Sequence, residues 1–356
     1  MKELRLMKGN EAIAEGAIRA GADAYFGYPI TPQSEVMEYL MAEKPHERTG
    51  MVVLQAESEV ASINMLYGAA GTGKRVMTSS SSPGISLMQE GISYMAGAEL
   101  PCIIVNVVRG GPGLGTIQPS QADYFQTTKG GGHGDYRLIT LAPASVQEMY
   151  DFPALGFELA FKYRNPVMIQ SDGLIGQMME KVEIGEQQDR KTEFDQSWAT
   201  TGKTPDRERN IITSLDLDPS RQELHNIHLQ DKYKTVQENE VRYETMEAED
   251  ADYLFVAYGS SARICQKAII LARSEGIKVG LFRPITLWPF PSSQLKSYSD
   301  RSKGMLTVEQ SAGQMIEDVK LASECRVKVE HFGRMGGMIP TPEEVLEALK
   351  TKIIGG

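Results

Sequence analysis

Two carboxylates, Glu57 and Glu59, stand in the run Leu54-Gln55-Ala56-Glu57-Ser58-Glu59-Val60, near the expected start of a helix. Residues two apart on a helix point to different faces. One of them therefore complements the positive end of the helix dipole at the surface. The other faces a strand–helix junction, as a cap or as a general acid or base, and spacing alone does not say which. Arg109 ends the apolar run Cys102–Val108 and leads into Gly110-Gly111-Pro112-Gly113-Leu114-Gly115. A guanidinium at a strand end can pair bidentately with a carboxylate, and glycine-rich loops at strand C-termini are where α/β sheets take ligands. A surface salt bridge and a flexible turn are the plainer expectations. The spacing is no dinucleotide fingerprint, because Gly110, Pro112 and Gly115 would fill its three glycine positions.

Other motifs carry less chemistry. Gly68-Ala69-Ala70-Gly71-Thr72-Gly73-Lys74 fits G-x-x-x-x-G-K, but Arg75 replaces the required Ser or Thr. The order is helix, glycines, strand, the inverse of a phosphate loop, so a helix C-cap and turn is expected. The five histidines form no metal set: His225 and His228 are three apart without a third ligand, and His133 is expected solvated in its glycine loop. No G-x-S-x-G occurs. The three cysteines, Cys102, Cys265 and Cys325, form no C-x-x-C pair. They predict no disulfide framework and are too few to ligate an iron–sulfur cluster on this chain alone.

The elements that must position these residues alternate. A helix is expected over Asn10–Ala20, a strand over Ala24–Tyr28, and a helix over Val36–Met41 with Thr31 as N-cap and Pro32 at N1. Strand Met51–Leu54, helix Glu57–Ala70, strand Arg75–Ser79, helix Ser86–Ala96 and strand Cys102–Val108 follow. A helix beginning near Ser145 and a strand over Pro166–Ser171 complete a βαβ pattern, hence a parallel sheet. Between residues 190 and 250 the character changes: 23 of 61 residues are charged, about 38% against 24% for the whole chain. An exposed helix over Asp231–Met246 is the only element expected there. The α/β rhythm resumes from Tyr253 to Leu349. The chain is therefore read as residues 1–190, a charged connector over 191–250, and a second, smaller α/β unit over 251–356.

With 356 residues there is ample chain for two cores. A net charge of −10 argues against bulk nucleic-acid binding. No apolar stretch approaches the ~20 residues that span a bilayer, and the charged N-terminus has no leader-like apolar segment, so the cytoplasm is expected. The 18 methionines are expected as adaptable core filler.

Tyr28-Pro29-Ile30-Thr31-Pro32, Pro83-Gly84-Ile85-Ser86-Leu87-Met88, Arg109-Gly110-Gly111-Pro112, Gln118-Pro119-Ser120-Gln121-Ala122-Asp123 and Arg283-Pro284-Ile285-Thr286-Leu287-Trp288-Pro289 together resemble the α subunit of 2-oxoacid:ferredoxin oxidoreductases. The resemblance covers nearly the whole chain except the connector. It implies an α/β fold: a pyrimidine-binding thiamine-diphosphate domain, a parallel sheet with helices on both faces, and a smaller transketolase C-terminal-like domain. It assigns Glu59, not Glu57, to N1′ of the cofactor's aminopyrimidine, where a carboxylate favours the 4′-imino tautomer that removes the C2 proton. It assigns Thr31 and Arg109 to the substrate carboxylate, and places Tyr28, Pro29, Ile30, Pro83 and Gly84 around the cofactor. The implied activity is oxidative decarboxylation of a 2-oxoacid, with acyl transfer to coenzyme A and electrons passing to ferredoxin.

The chain has no GDG-type Mg²⁺–diphosphate motif with its usual Asn; Ser171-Asp172-Gly173 is the nearest string. The resemblance therefore implies that Mg²⁺ and the diphosphate end of thiamine diphosphate sit on a β subunit. The iron–sulfur clusters are assigned to γ and ferredoxin-like δ subunits. The stretch Gly113–Ser120 resembles the branched-chain (3-methyl-2-oxobutanoate) type; a 2-oxoglutarate type is the alternative, with Lys129 able to supply a second cation. A nucleotide-binding regulatory module using Gly68–Lys74 is the rival of another class.

Overall fold

Seven consecutive residues, Cys102–Val108, are buried along their whole length, which only a central strand covered on both faces allows. The computed structural model describes residues 3–188, 194–203 and 205–355. Its strands are β1 (Glu3–Lys8), β2 (Ala24–Gly27), β3 (Val52–Gln55), β4 (Val76–Ser80), β5 (Cys102–Val108), β6 (Ile139–Leu141) and β7 (Pro166–Asp172). There follow β8 (Met179–Ile184), β9 (Tyr243–Met246), β10 (Tyr253–Val256), β11 (Val279–Pro284), β12 (Thr286–Trp288), β13 (Gly304–Glu309) and β14 (Lys328–Gly333). One sheet has the order β12-β6-β7-β5-β4-β2-β3, a second the order β14-β13-β10-β11-β9, and β1 pairs with β8 in a ribbon. Strands β2 to β7 are parallel, with β12 antiparallel at the edge. The α/β architecture expected from the alternation is thus present.

Helix boundaries differ from the sequence pattern where a side chain outbids local propensity. The helix expected from Ser86 begins at Pro83, which fits the first turn because its missing N–H has no partner to lose. The helix expected behind a Thr31 cap begins instead at Ser34, with Gln33 at the cap. The Thr-Pro capping signal fails because the carbonyls of the preceding loop are held from elsewhere. Asn10 Nδ2 donates to Pro32 O at 2.7 Å, and Arg109 Nη1 to Thr31 O at 2.9 Å.

The charged segment is more structured than its composition suggests. Its helix runs over Pro219–Asn239, behind an Asp218 cap, while Met246 belongs to strand β9. Only Leu229, Tyr233 and Val236 of this helix are buried, at the i, i+4, i+7 spacing of one narrow stripe. That stripe packs on the first core, with the Tyr233 ring edge-on to Trp288 at 5.7 Å between centroids. Ahead of it, Thr200 N donates to Gly71 O and Gln196 Nε2 to Gly73 O, each at 2.8 Å. The Gly68–Lys74 loop is thus a helix end and turn whose carbonyls are taken by the chain itself.

The two sheets are joined by a buried polar seam. Gln121 N donates to Gln310 O at 2.9 Å, and Gln310 N donates back to Gln121 Oε1 at 3.0 Å. The same Oε1 accepts from Ser261 Oγ at 2.7 Å, and Gln121 Nε2 donates to Tyr258 O at 2.9 Å. Asp172 uses one oxygen to cap Leu174 and Ile175, and the other to accept Ser260 Oγ at 2.6 Å. Burial pushes the Asp172 carboxyl above its usual range. Gly259, at φ +53, leaves room for this: a Cβ there would stand 3.0 Å from Gln121 Nε2.

Gln121→Leu keeps the volume but strands Ser261 Oγ and Gln310 N in the interior, while Tyr258 O keeps only Ala262 N. Unsatisfied buried groups cost about 1–3 kcal/mol each, so the melting temperature is expected to fall by about 4 °C or more. Differential scanning calorimetry of the chain checks this, and an unchanged melting temperature would remove the seam from the account of stability.

Candidate functional site

Strand order decides where a ligand can enter. In chain order, β2 is followed by β3 on one side, and the chain then returns to β4, β5 and β7 on the other. Connections leaving in opposite directions open a crevice at the C-terminal ends of β2 and β4. Four loops or helix starts meet there: Tyr28–Gln33 after β2, helix Glu59–Ala70 after β3, helix Pro83–Gly97 after β4, and Arg109–Pro119 after β5.

The first loop is held from beneath. Gln33 is buried; its Nε2 donates to Tyr28 O at 3.0 Å and its Oε1 accepts Ser79 Oγ at 2.7 Å. Tyr25 OH lies 2.7 Å from the same Ser79 Oγ, its phenol pushed up to about 12 by complete burial. Side chains Tyr28 and Ile30 are half-buried, whereas Pro29 and Thr31 are exposed on the loop.

Glu59 is the first residue of its helix, behind the Ser58 cap whose Oγ accepts Ala61 N at 3.1 Å. Glu57 lies outside the helix and is exposed, which answers the question left open by spacing: the inward carboxylate is Glu59, 6% exposed. Among the described residues, nothing donates a hydrogen bond to it and no cation pairs with it. Its carboxylate fills the space that a side chain at Gly84 would need. A Cβ there would stand 2.7 Å from Glu59 Oε1 and 2.0 Å from Ser80 Oγ. Ser80 Oγ is itself buried with no partner. Buried polar groups are normally satisfied, so an unmatched carboxylate beside an unmatched hydroxyl calls for a ligand edge that donates N–H groups. The aminopyrimidine of thiamine diphosphate can present its ring nitrogen N1′ to a carboxylate so placed, and Glu59 fits that group.

Arg109 is 7% exposed, and among the described residues no carboxylate pairs with it, so the surface salt bridge that was its plainer expectation is not made there. Its Nη1 donates to Thr31 O and its Nη2 to Leu114 O, both at 2.9 Å. Nε is buried without an acceptor. The loop that follows is tied rather than slack: Gly110 N donates to Gln118 O and Thr116 N to Gly110 O. Gly115, at φ +61, lies so close that a Cβ would meet Gly110 O at 1.8 Å. Leu114 stands 81% exposed at its tip.

A cavity of about 460 Å³ opens beside Arg109, where the first sheet's loops meet the second unit; Ser82, Pro83, Asp123, Gln314 and Met335 help line it. Asp123 enters the sequence reading only as the last residue of the Gln118–Asp123 motif, without a role of its own. Burial raises its carboxyl above the usual range, against hydrogen bonds from Ser82 and Asn106. Lys129 is bound to Asp318 at 2.5 Å. His225 sits on Gly97 O and His228 on Glu99, and among the described residues no group of three His, Cys, Asp or Glu could hold a metal ion. All three cysteines are free; Cys102 and Cys265 are buried.

Residues 15–253 match the family described as pyruvate flavodoxin/ferredoxin oxidoreductase, thiamine diP-bdg, and residues 251–345 match pyruvate:ferredoxin oxidoreductase core domain II. The chain is 52% identical over 348 residues to ketoisovalerate oxidoreductase subunit VorB of Methanothermobacter marburgensis, covering 97% of each chain. It is 36% identical over 381 residues to 2-oxoglutarate synthase subunit KorA of Methanothermobacter thermautotrophicus, covering 98% of this chain and 99% of that one. A solved 2-oxoglutarate:ferredoxin oxidoreductase from Magnetococcus marinus superposes with a TM-score of 0.86 at 29% identity, covering 99% of this chain and 66% of that chain. A split-gene transketolase shares the fold, at a TM-score of 0.61 and 13% identity over 98% of both chains. Matches of this length and identity place the chain in the 2-oxoacid:ferredoxin oxidoreductase family, as an α subunit that includes its thiamine diphosphate-binding domain.

Proposed function

We propose that this chain holds the aminopyrimidine end of thiamine diphosphate on Glu59 and the carboxylate of a 2-oxoacid on Arg109 and Thr31. The observation that carries the reading is the buried Glu59 carboxylate, unpartnered among the described residues and packed on Gly84 beside the equally unpartnered Ser80 hydroxyl. Thiamine diphosphate, when bound, supplies the carbon nucleophile and electron sink for decarboxylation. Glu59 accepts a hydrogen bond from the ring and holds the proton that sets its tautomer. Tyr28, Pro29, Ile30, Pro83 and Gly84 form the walls that keep the ring in place and exclude water. Arg109 spends two N–H groups on carbonyls and keeps others for the substrate.

The reaction is oxidative decarboxylation of a branched-chain 2-oxoacid, 3-methyl-2-oxobutanoate, with coenzyme A, giving acyl-CoA, CO₂ and reduced ferredoxin. The name of the 52%-identical relative supports the substrate. So does the cavity beside Arg109, for Lys129, the candidate second cation, is engaged by Asp318. A β subunit supplies the diphosphate and Mg²⁺ site, and γ and ferredoxin-like δ subunits supply the clusters, in the cytoplasm. Three cysteines cannot complete a four-cysteine cluster. Leu54, Val60, Leu87 and Leu114, all exposed around the crevice, are apolar surface for such a partner to cover. Among the described residues no helix is long and apolar enough to cross a membrane. In this reading residues 1–190 bind the pyrimidine, 191–250 strap that unit, and 251–356 buttress it.

Glu59→Gln in the assembled complex is expected to lower 2-oxoacid oxidation by about 100-fold or more while assembly is retained; wild-type turnover would defeat the assignment. Gly84→Ala thrusts a methyl into Ser80 and Glu59, so the complex is expected to lose most of its bound thiamine diphosphate on desalting, measured by fluorescence after oxidation to thiochrome. Full retention would show that Glu59 does not meet the cofactor. On a panel of 2-oxoacids read by viologen reduction with coenzyme A, 3-methyl-2-oxobutanoate is expected to give the highest kcat/KM. A preference for 2-oxoglutarate would overturn the substrate while leaving the site intact.

A further inference from the structure

Asp123 occupies the N-cap position of the short helix Tyr124–Thr128, yet its side chain caps nothing. Asp at that position ordinarily accepts from the first-turn amides. Here one oxygen, Oδ2, accepts from Ser82 Oγ at 2.7 Å and from Asn106 Nδ2 at 2.9 Å. Both donors are tied in turn to the ends of β4 and β5. Ser82 Oγ accepts the backbone N–H of Arg109 at 3.0 Å, and Asn106 Oδ1 accepts the backbone N–H of Ser82 at 3.1 Å. Asn106 is fully buried, three residues before Arg109 on the same strand. Three residues make a closed circuit, Asp123 to Ser82, Ser82 to Asn106 and Asn106 to Asp123, and Arg109 is joined to it through Ser82.

We infer that Asp123 is a positioning residue for Arg109: its carboxylate fixes the Ser82 hydroxyl, which fixes the backbone from which the Arg109 guanidinium is aimed. The geometry has a reason to exist. Arg109 is the first residue beyond β5, and among the described residues its strand-like contact is an isolated bridge to Pro119. Its side chain reaches two loops, at Thr31 and Leu114, so a small swing of its Cα would be amplified at the guanidinium. A hydroxyl alone is a weak anchor, because it can rotate. With a carboxylate taking its hydrogen, the Ser82 oxygen presents a lone pair to Arg109 N–H and the rotor is locked. Burial pushes the Asp123 carboxyl above its usual range, and the hydrogen bonds from Ser82 and Asn106 work against that push.

The inference rests on the reading of Arg109 as the substrate-carboxylate residue. In the assembled complex, Asp123→Ala is expected to raise the KM for the 2-oxoacid about tenfold or more, with the KM for coenzyme A unchanged. Calorimetric titration of the 2-oxoacid in the absence of coenzyme A should show the same loss. Ser82→Ala, which cuts the circuit one step nearer Arg109, should reproduce it without touching a charge. Asp123→Asn should restore the KM to within about threefold, because both bonds end on one oxygen and a carboxamide oxygen can accept both. Arg109→Ala combined with Asp123→Ala should be no worse than Arg109→Ala alone. An unchanged 2-oxoacid KM in Asp123→Ala and Ser82→Ala, beside a raised KM in Arg109→Ala, would overturn the inference alone. So would equal damage by Asn and Ala, which would mean that charge rather than hydrogen bonding matters, or a parallel rise in the coenzyme A KM, which would mean a general loss of structure. An unchanged KM in Arg109→Ala would overturn the reading of Arg109 itself.

Discussion

Gln121 spends its side-chain and backbone groups on a partner across the seam between the two sheets, and the site's geometry follows from that. Its backbone N–H and amide oxygen pair with Gln310, its amide nitrogen with Tyr258, and its carbonyl with the Tyr258 hydroxyl. Because Gln121 lies two residues before Asp123 and Gln310 directly follows β13, this pairing sets the second unit against the loops at the crevice. A dry apolar seam would tolerate sliding, whereas hydrogen bonds between buried groups have one register. Gln314 and Met335 reach the cavity beside Arg109 only because that register is fixed.

The seam and the crevice use the same residue types to opposite ends. Asp172 is buried with both oxygens filled, by amides and by Ser260. Glu59 is buried with neither filled by a described residue, and it stands beside a serine hydroxyl that is also empty-handed. An unsatisfied buried group costs about 1–3 kcal/mol, so the fold carries a local penalty at the Ser80 hydroxyl beside Glu59 that a bound ligand would relieve. Gly84 is the clearest sign that this is built rather than accidental. The absent side chain is what allows the carboxylate to lie against the first turn of helix Pro83–Gly97.

How much of this was legible depends on how local the cause is. Strand β5 is a continuous apolar run and could be read residue for residue. Helix Pro219–Asn239 could not, because three buried residues in 21 leave no periodic signal above a charged background. Strand β12 reads as a loop, since Thr286–Trp288 owes its extension to pairing with β6 across about 150 residues of chain. Leu4 and Leu6 of β1 face outward at 65% and 63% exposure, so alternation there points away from the true core. Thr31-Pro32 carries a capping signal that Asn10 and Arg109 override from afar. Glu59 could be named from the motif it resembles, but what separates it from Glu57 is the space at Gly84, which no spacing rule contains. Asp123 closes the Gln118–Asp123 motif but carried no role of its own, because its partners Ser82 and Asn106 lie 41 and 17 residues away in the chain.

Arg109 shows why the residue type matters as much as the position. Each terminal nitrogen of a guanidinium carries two N–H groups. One from each is spent on a carbonyl, Thr31 on one side and Leu114 on the other, which aligns the plane of the fork without using it up. One N–H on each terminal nitrogen is left over, the number that a carboxylate accepts in a bidentate pair. A lysine could reach either carbonyl but has a single nitrogen, so it could not bridge both loops and remain presented to a third group. The two carbonyls also come from loops, where backbone acceptors are not already consumed by a sheet ladder. A strand-end arginine, two loop carbonyls and a locked serine therefore form one device, in which the loops orient the charge and the charge in turn holds the loops closed around the crevice.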